Sequence, residues 1–412
     1  MISAFLLQKC KEKDYLSEQI KNGYTQSLLS VQSLVSDINI ALEKLRFCAD
    51  EDMRVSLSTE IARDSAAAKE CVARMPIDVS SGSSLNSYFT LTGDFALNFA
   101  KDASVSGAEN LEKLFKYSTK ISHALNRAET DFDSNVKLDF SGLNSALKSG
   151  FDESIEDMKD ISESLPTLIY DGPFSAHVTQ AKSKLLADKQ KISKQDALEF
   201  ARKVTDDDEL EYLSTENSNE KSFVFSSDET ICAVTTQGGY LLYFKTETQE
   251  DKQTIKTATA IKTAKEYLKK IYGYTFTDKY YSKSENVLTV NLCPRIDGIC
   301  VYADIVKVDI SLEDGDILGV EARSFVLNHH ERIYKNQFKL SRDQAENKLH
   351  KNLLIKSSDK VLIIDDARAE HFCYEFICVS GNEEVAIYID AKTGKEREIF
   401  IIEHAPGGTF AK

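Results

Sequence analysis

Tryptophan is absent from the 412 residues, proline occurs five times and glycine 17 times. So little proline excludes a Pro-rich linker protein, and so little glycine leaves small room for Gly-rich phosphate loops. No CxxC pair occurs, which excludes a thioredoxin-type site and a zinc ribbon. Long apolar runs are also missing. The stretch from Met1 to Leu7 is too short for a signal-peptide core or a membrane-spanning helix, and no later segment is apolar enough. As written, the chain reads as soluble and without an export signal. Positive charge is in deficit, with 51 Lys and Arg against 66 Asp and Glu, a net charge of −15. A protein working by phosphate neutralisation or by adsorption to an anionic membrane needs the opposite balance. Both halves of the chain are acidic, so the charge serves solubility.

What is present is ordinary for a folded chain. With 42% hydrophobic and 28% charged residues it can bury a core, and its length predicts more than one domain. The eight cysteines are scattered. Cys293 and Cys300 flank a turn and form a candidate disulfide, with two half-buried free thiols as the alternative.

The first part reads as helical. Leu28, Val31, Val35, Ile38, Leu42 and Leu45 alternate steps of three and four, the seam of one helix packed on another or on a second chain. Leu111, Leu114, Ile121 and Leu125 make a second run. Leu143, Leu147, Phe151, Ile155, Met158 and Leu165 make a third. Leu85, Tyr88, Phe89, Phe95 and Phe99 form an aromatic helical face around Gly93 and Asp94, read as bundle core with a partner-helix groove as the sharper alternative. Short connections predict an antiparallel bundle over residues 1–175.

The second part repeats a unit three times, a helix followed by strands. The helices open at Ile192, Thr259 and Leu340, and hairpins close the units around Gly238, Gly315 and Gly394. Each hairpin is flanked by alternating apolar residues, as a strand buried on one face requires. The units are placed at 190–250, 256–330 and 338–405. The fold class is α+β, a helical bundle followed by three small helix-plus-antiparallel-sheet modules.

No catalytic set emerges: there is no HExxH, GxSxG, P-loop or GxGxxG. The run from Asn328 through His329, His330 and Glu331 to Arg332 is read as a hydrogen-bonded loop, because adjacent histidines diverge and rarely share a metal. Asp206, Asp207 and Asp208 lack the Gly turn and spacing of an EF-hand and are read as a solvated acidic loop. No catalytic, cofactor or metal residue is assigned.

The repeat hairpins resemble PepSY domains. Longer stretches resemble the YpeB family of spore germination proteins over nearly the whole chain. They include Leu168 to Ser175 with Tyr170, Asp171, Gly172 and Pro173, then Gly298 to Val308 with Tyr302 and Asp304. Leu312 to Ala322, Asn328, His329 and Arg332 continue the likeness, as do Tyr388 to Glu396, Pro406 to Thr409, and Gly93 and Asp94 in the bundle. Ala303 stands where the family more often has proline.

The resemblance implies a non-enzymatic role. A YpeB-like protein binds, stabilises and restrains a cortex-lytic peptidoglycan hydrolase of the SleB type until germination. Gly93, Asp94, Tyr170, Asp171, Gly172, Pro173, Tyr302, Asp304, Asn328 and His329 become candidate partner-facing or motif residues. The location implied is the endospore envelope, on the cortex side of the inner membrane. The family begins with a membrane-spanning segment, of which Met1 to Leu7 corresponds to at most the end. Partners implied are the hydrolase, peptidoglycan and a second copy of the chain, with no nucleic acid. The alternative reading is a peptidoglycan-binding envelope scaffold or sensor without a hydrolase partner.

Overall fold

The structure is a computed structural model that describes residues 2–75, 77, 79–101, 107–133, 183–217, 220–246, 253–284, 286–365, 369–405 and 408–412. The chain divides into two compact units, Met1–Leu168 and Ile169–Lys412. The third helical run expected from Leu143 to Leu165, and Tyr170 to Pro173, lie outside the described residues.

In the first unit α1 (Ile2–Leu45), α2 (Glu51–Val72), α3 (Val79–Lys101) and α4 (Gly107–Asp133) pack together. Asp50 starts α2 by accepting the Met53 N–H at 3.1 Å, and Glu51 and Asp52 complement the positive end of the helix. The seam from Leu28 to Leu45 is fully buried and meets Ile61, Phe89 and Leu125 in one core. α1 and α4 run antiparallel: Arg46 pairs with Glu112 at 2.9 Å, while Gln32 donates to the Leu125 carbonyl at 3.1 Å. The aromatic face is core as expected, with Leu85, Tyr88 and Phe89 buried and Phe95 and Phe99 partly so.

In the second unit α5 (Lys194–Thr205) begins at Ser193, whose side chain and that of Asp196 each cap the other's backbone N–H. It covers β1 (Glu211–Asn217), β2 (Lys221–Ser226), β3 (Thr230–Thr235) and β4 (Leu241–Thr246) through Ala197, Ala201 and Val204. α6 (Thr257–Tyr272) likewise lays Ala260, Ala264 and Leu268 on its own module. That module contains β5 (Thr275–Ser284), β6 (Val287–Ile296), β7 (Ile299–Val301), β8 (Val306–Ser311) and β9 (Ile317–Glu321), then the short α7 (Arg323–Asn328). The alanines let both helices approach their strands closely. The third module has α8 (Arg342–Glu346), β10 (Leu354–Ile364), β11 (Glu370–Ser380), β12 (Glu383–Asp390), β13 (Glu396–Ala405) and β14 (Gly408–Ala411). Ser341 and Gln344 form a capping box there, yet the helix stops after five residues. Asn347, His350 and Asn352 follow, poor helix formers that favour turns.

The hairpin glycines behave as expected, with φ of 79° at Gly238, 92° at Gly315 and 74° at Gly394.

The repeat pattern predicts three small sheets, and here the structure differs. All fourteen strands join in one hydrogen-bonded sheet, ordered β1-β2-β3-β4-β9-β8-β6-β5-β14-β13-β12-β11-β10-β7. β4 pairs with β9, so Tyr243 faces Glu321 across the first junction. At the second, β14 pairs with β5, and β7 pairs with both β6 and β10. Strands β5, β6, β7 and β10 to β14 therefore close a ring. The cause is edge chemistry: an exposed module edge carries unpaired N–H and C=O groups, and pairing it with the next module satisfies them. Gly408 makes the closure sterically possible. At its φ of 146° a Cβ would collide with the Tyr281 carbonyl and sit 2.8 Å from Ser282 Cα.

Cys293 and Cys300 lie inside this ring, fully buried, and are free thiols. The candidate disulfide is thus not formed. Cys300 stands opposite Arg295 and Cys293 opposite Thr277, so the two cysteines are staggered along the sheet and not directly paired. Burial first, and then the neighbouring Cys300, push the Cys293 thiol well above its ordinary pKa, which suppresses the thiolate needed for oxidation. Denaturation with an alkylating agent and no reductant is expected to modify both cysteines, read by peptide mass spectrometry. A Cys293–Cys300 cross-linked peptide is the contrary result.

Candidate functional site

Four of the motif residues converge where the second module meets the third. After β7 the chain makes one tight 3-10 turn over Tyr302–Asp304, which drives Tyr302 and Asp304 into the interior with no exposure. Asp304 is then a buried carboxylate and needs partners. Arg332 supplies a two-point clasp, Nη1 to Oδ2 at 2.8 Å and Nη2 to Oδ1 at 2.9 Å. His329 adds its Nδ1 at 2.5 Å from Oδ2. An ionised carboxylate only accepts, so Nδ1 carries a proton.

His329 is itself fixed on all sides. Its Nε2 meets the Tyr274 hydroxyl at 3.1 Å, and the Phe325 ring stacks on it at 4.5 Å. Asn328 ties the turn down by donating to the Ala303 carbonyl at 2.9 Å, and its own carbonyl accepts from Arg332 Nη2. Arg332 then reaches the third module, where its Nε donates to Glu370 at 2.9 Å. Burial disfavours the guanidinium charge, but the hydrogen bonds and charges of Asp304 and Glu370 outweigh it and raise the Arg332 pKa.

Tyr302 looks the other way, into the ring. There Glu375 accepts from the Tyr302 hydroxyl at 2.5 Å and the Tyr388 hydroxyl at 2.9 Å. Lys279 Nζ closes the group at 2.7 Å from Glu375 Oε2. Burial opposes the ammonium charge here too, and Glu375 overcomes it, raising the Lys279 pKa. Asp359, clasped by Arg295 at 2.5 Å, lies 3.7 Å from the same Nζ. Lys279, Tyr302 and Arg295 belong to the second module, and Glu375, Tyr388 and Asp359 to the third. Both clusters are therefore ionic ties across one junction.

A third cluster holds the last hairpin. Asp390 accepts from Arg397 Nη2 at 2.7 Å and from the Lys392 and Thr393 backbone N–H groups. His371 Nε2 lies 2.8 Å from Asp365, with Nδ1 3.6 Å from Asp390. The Asp390 bond first, with Asp365 helping against burial, raises the His371 pKa. Burial would raise the Asp390 pKa, but His371 and the backbone donors hold it far below the carboxylate range. A raised histidine value stabilises the fold below the unfolded value near 6.5 and loses that contribution as pH rises through the folded value. A depressed aspartate value stabilises above about 3.9 and is lost as pH falls. Stability measured by urea unfolding is expected to decline as pH rises above about 6.5. His371→Gln is expected to flatten that limb and to weaken the acid limb without abolishing it, because Asp390 keeps its backbone donors and Arg397.

The remaining motif residues lie in the first unit. A methyl group added at Gly93 would stand 3.5 Å from Ser65 Cβ and 3.8 Å from Ala62 Cα, so Gly93 is a point of close α2–α3 contact. Asp94 is exposed beside it, on an open groove of about 1000 Å³ shared with Lys69, Met75 and Asn86. The sequence pattern did not mark Lys279, Glu370, Glu375 or Tyr274 as part of a site, and it marked Tyr388 only as the start of a family-like stretch. A signal existed for Glu375, which falls in phase with Cys373 and Ile377, the inward positions of β11. A charge at an inward position demands a buried partner. Among the described residues no group of three or more His, Cys, Asp or Glu could hold a metal ion, and no helix is long and apolar enough to cross a membrane.

Three family models match the chain. Residues 12–138 match the model described as YpeB N-terminal. Residues 151–335 match YpeB sporulation, PepSY1 and PepSY2 domains. Residues 339–400 match the peptidase propeptide and YPEB domain. The sporulation protein YpeB of Halalkalibacterium halodurans is 23% identical over 424 residues, covering 97% of this chain and 94% of that protein. The Bacillus subtilis protein of the same name is 22% identical across 52% of this chain and 50% of its own length. The solved Bacillus megaterium YpeB C-terminal domain is 26% identical, covers 52% of this chain and all of its own, and superposes with a TM-score of 0.47.

Proposed function

This chain belongs to the YpeB family of sporulation proteins, and on that premise we propose that it is a non-enzymatic germination protein that binds, stabilises and restrains a cortex-lytic peptidoglycan hydrolase of the SleB type. The reading places it in the endospore envelope until germination, needing no cofactor. The observation that carries it is the third module, whose family model is shared with peptidase propeptides. A propeptide restrains a hydrolase by presenting a folded surface to it. Such a surface binds tightly when it loses little freedom on association. The two buried ionic clusters support this reading, because they join the second and third modules into one stiff body.

The test mixes the full chain with purified hydrolase. Sedimentation reports the complex, cortex digestion reports restraint, and timed proteolysis reports stabilisation. A complex with slower cortex digestion and a longer-lived hydrolase is expected. Absence of a complex, with digestion and proteolysis unchanged, overturns the reading. The chain alone, incubated with cortex, is expected to release no fragments.

A further inference from the structure

One strand edge of the sheet has no described neighbour. β1 pairs with β2 on one side only, and it heads the strand order. Its outward N–H and C=O groups make no hydrogen bond to any described residue. The strand bulges between Tyr212 and Ser214, and Tyr212 and Leu213 are 40% and 58% exposed. An open edge with exposed apolar side chains is what an extended peptide extends by strand addition.

The charge around this edge selects the occupant. Residues 206–220 contain seven Asp and Glu and no Lys or Arg. Glu211 lies on the strand and is exposed, and Glu216 lies near its end. Two described cations stand beside the strand and away from its open edge: the ammonium of Lys194, 3.5 Å over the Tyr212 ring, and Lys221, which pairs with Asn217 from β2. A second copy of β1 fits poorly. In the overlapped antiparallel register Glu211 of each copy approaches Glu216 of the other, and like charges across a strand pair destabilise it. A strand carrying lysine or arginine at alternate positions meets opposite charge at the same places.

We propose that the β1 edge is a docking site for an extended, basic segment of another protein, which adds as a further strand. Seven residues of β1 match a peptide of about that length, since paired strands advance together at about 3.4 Å per residue. The site is independent of the hydrolase reading and stands or falls by its own test.

The probe is a nine-residue peptide of alternating lysine and threonine, titrated into the full chain at low salt and followed by fluorescence anisotropy. Hydrogen exchange reports the β1 amides. Three controls accompany it: the same peptide N-methylated at alternate amides, a glutamate-for-lysine peptide, and the variant Glu211→Lys with Glu216→Lys. Glu211 is exposed, whereas Glu216 is half-buried and accepts from the Tyr243 hydroxyl at 3.3 Å, so an unchanged circular dichroism spectrum is required to confirm the fold. Binding is expected to protect residues 211–217, to weaken with salt and to fall at least tenfold in each control. Equal binding of the N-methylated peptide overturns the proposal, because charge alone would then explain it. Protection elsewhere, no binding, or dimerisation through β1 at sedimentation equilibrium overturns it as well.

Discussion

Arg332→Ala is expected to destabilise the sheet unit by about 3–5 kcal/mol, the cost of leaving a buried carboxylate without its cation. Asp304 has no exposure, and Arg332 makes both of its strong bonds. His329 alone cannot replace a two-point clasp, because it approaches only Oδ2. The effect should be relieved by neutralising the partner. Arg332→Met combined with Asp304→Asn is expected to recover more than half of the loss, since the amide still accepts from His329 and no charge stays buried. Denaturant unfolding measures this. The chain has no tryptophan, so one introduced at Phe372, which packs edge-on against Tyr334 and Phe338, reports the sheet unit alone. A loss under about 1 kcal/mol for Arg332→Ala, the range of an exposed ion pair, would falsify the claim that this clasp is a structural tie.

Lys279→Met is the second large effect, also about 3–5 kcal/mol, because it strands Glu375 inside the ring. Glu375 is only 4% exposed and would retain the Tyr302 and Tyr388 hydroxyls as its partners. Two neutral donors do not offset a buried charge. Adding Glu375→Gln to Lys279→Met is expected to restore most of the stability, because the amide carbonyl still accepts from both phenols. The Arg332 and Lys279 losses concern one junction, so combining them is expected to cost less than their sum. Hydrogen exchange should place the first openings at the β7–β10 and β5–β14 pairings, the short contacts by which the second and third modules close the ring. If single and double variants at Lys279 prove equally unstable, the ionic tie is not what holds the ring.

These expectations separate what was legible in the residues from what was not. The bundle seam was legible, because a helix repeats its buried face every three or four residues and Leu28 to Leu45 keep that spacing. So were the hairpins, because Gly238, Gly315 and Gly394 stand between alternating strands. Asp304, Asn328 and His329 were marked by resemblance, and the fold brings them within hydrogen-bond distance of one another's turn.

The joining of the modules was not legible. Strand alternation records which face is buried and says nothing of which edge meets which edge. β14 finds β5 across more than 120 residues, and only the folded chain sets that pairing. The same holds for Lys279 and Glu375, which come from different modules and look like ordinary surface charges until the ring encloses them. The sequence by itself determined the helical bundle, the triplicated module, the acidity and the family. Tertiary structure alone decided that three modules share one sheet, that Cys293 and Cys300 are buried neighbours left as thiols, and that two buried ion clusters bind the second module to the third. Local pattern encodes local geometry, whereas long-range pairing is chosen by the need to satisfy every backbone and charged group that folding removes from water.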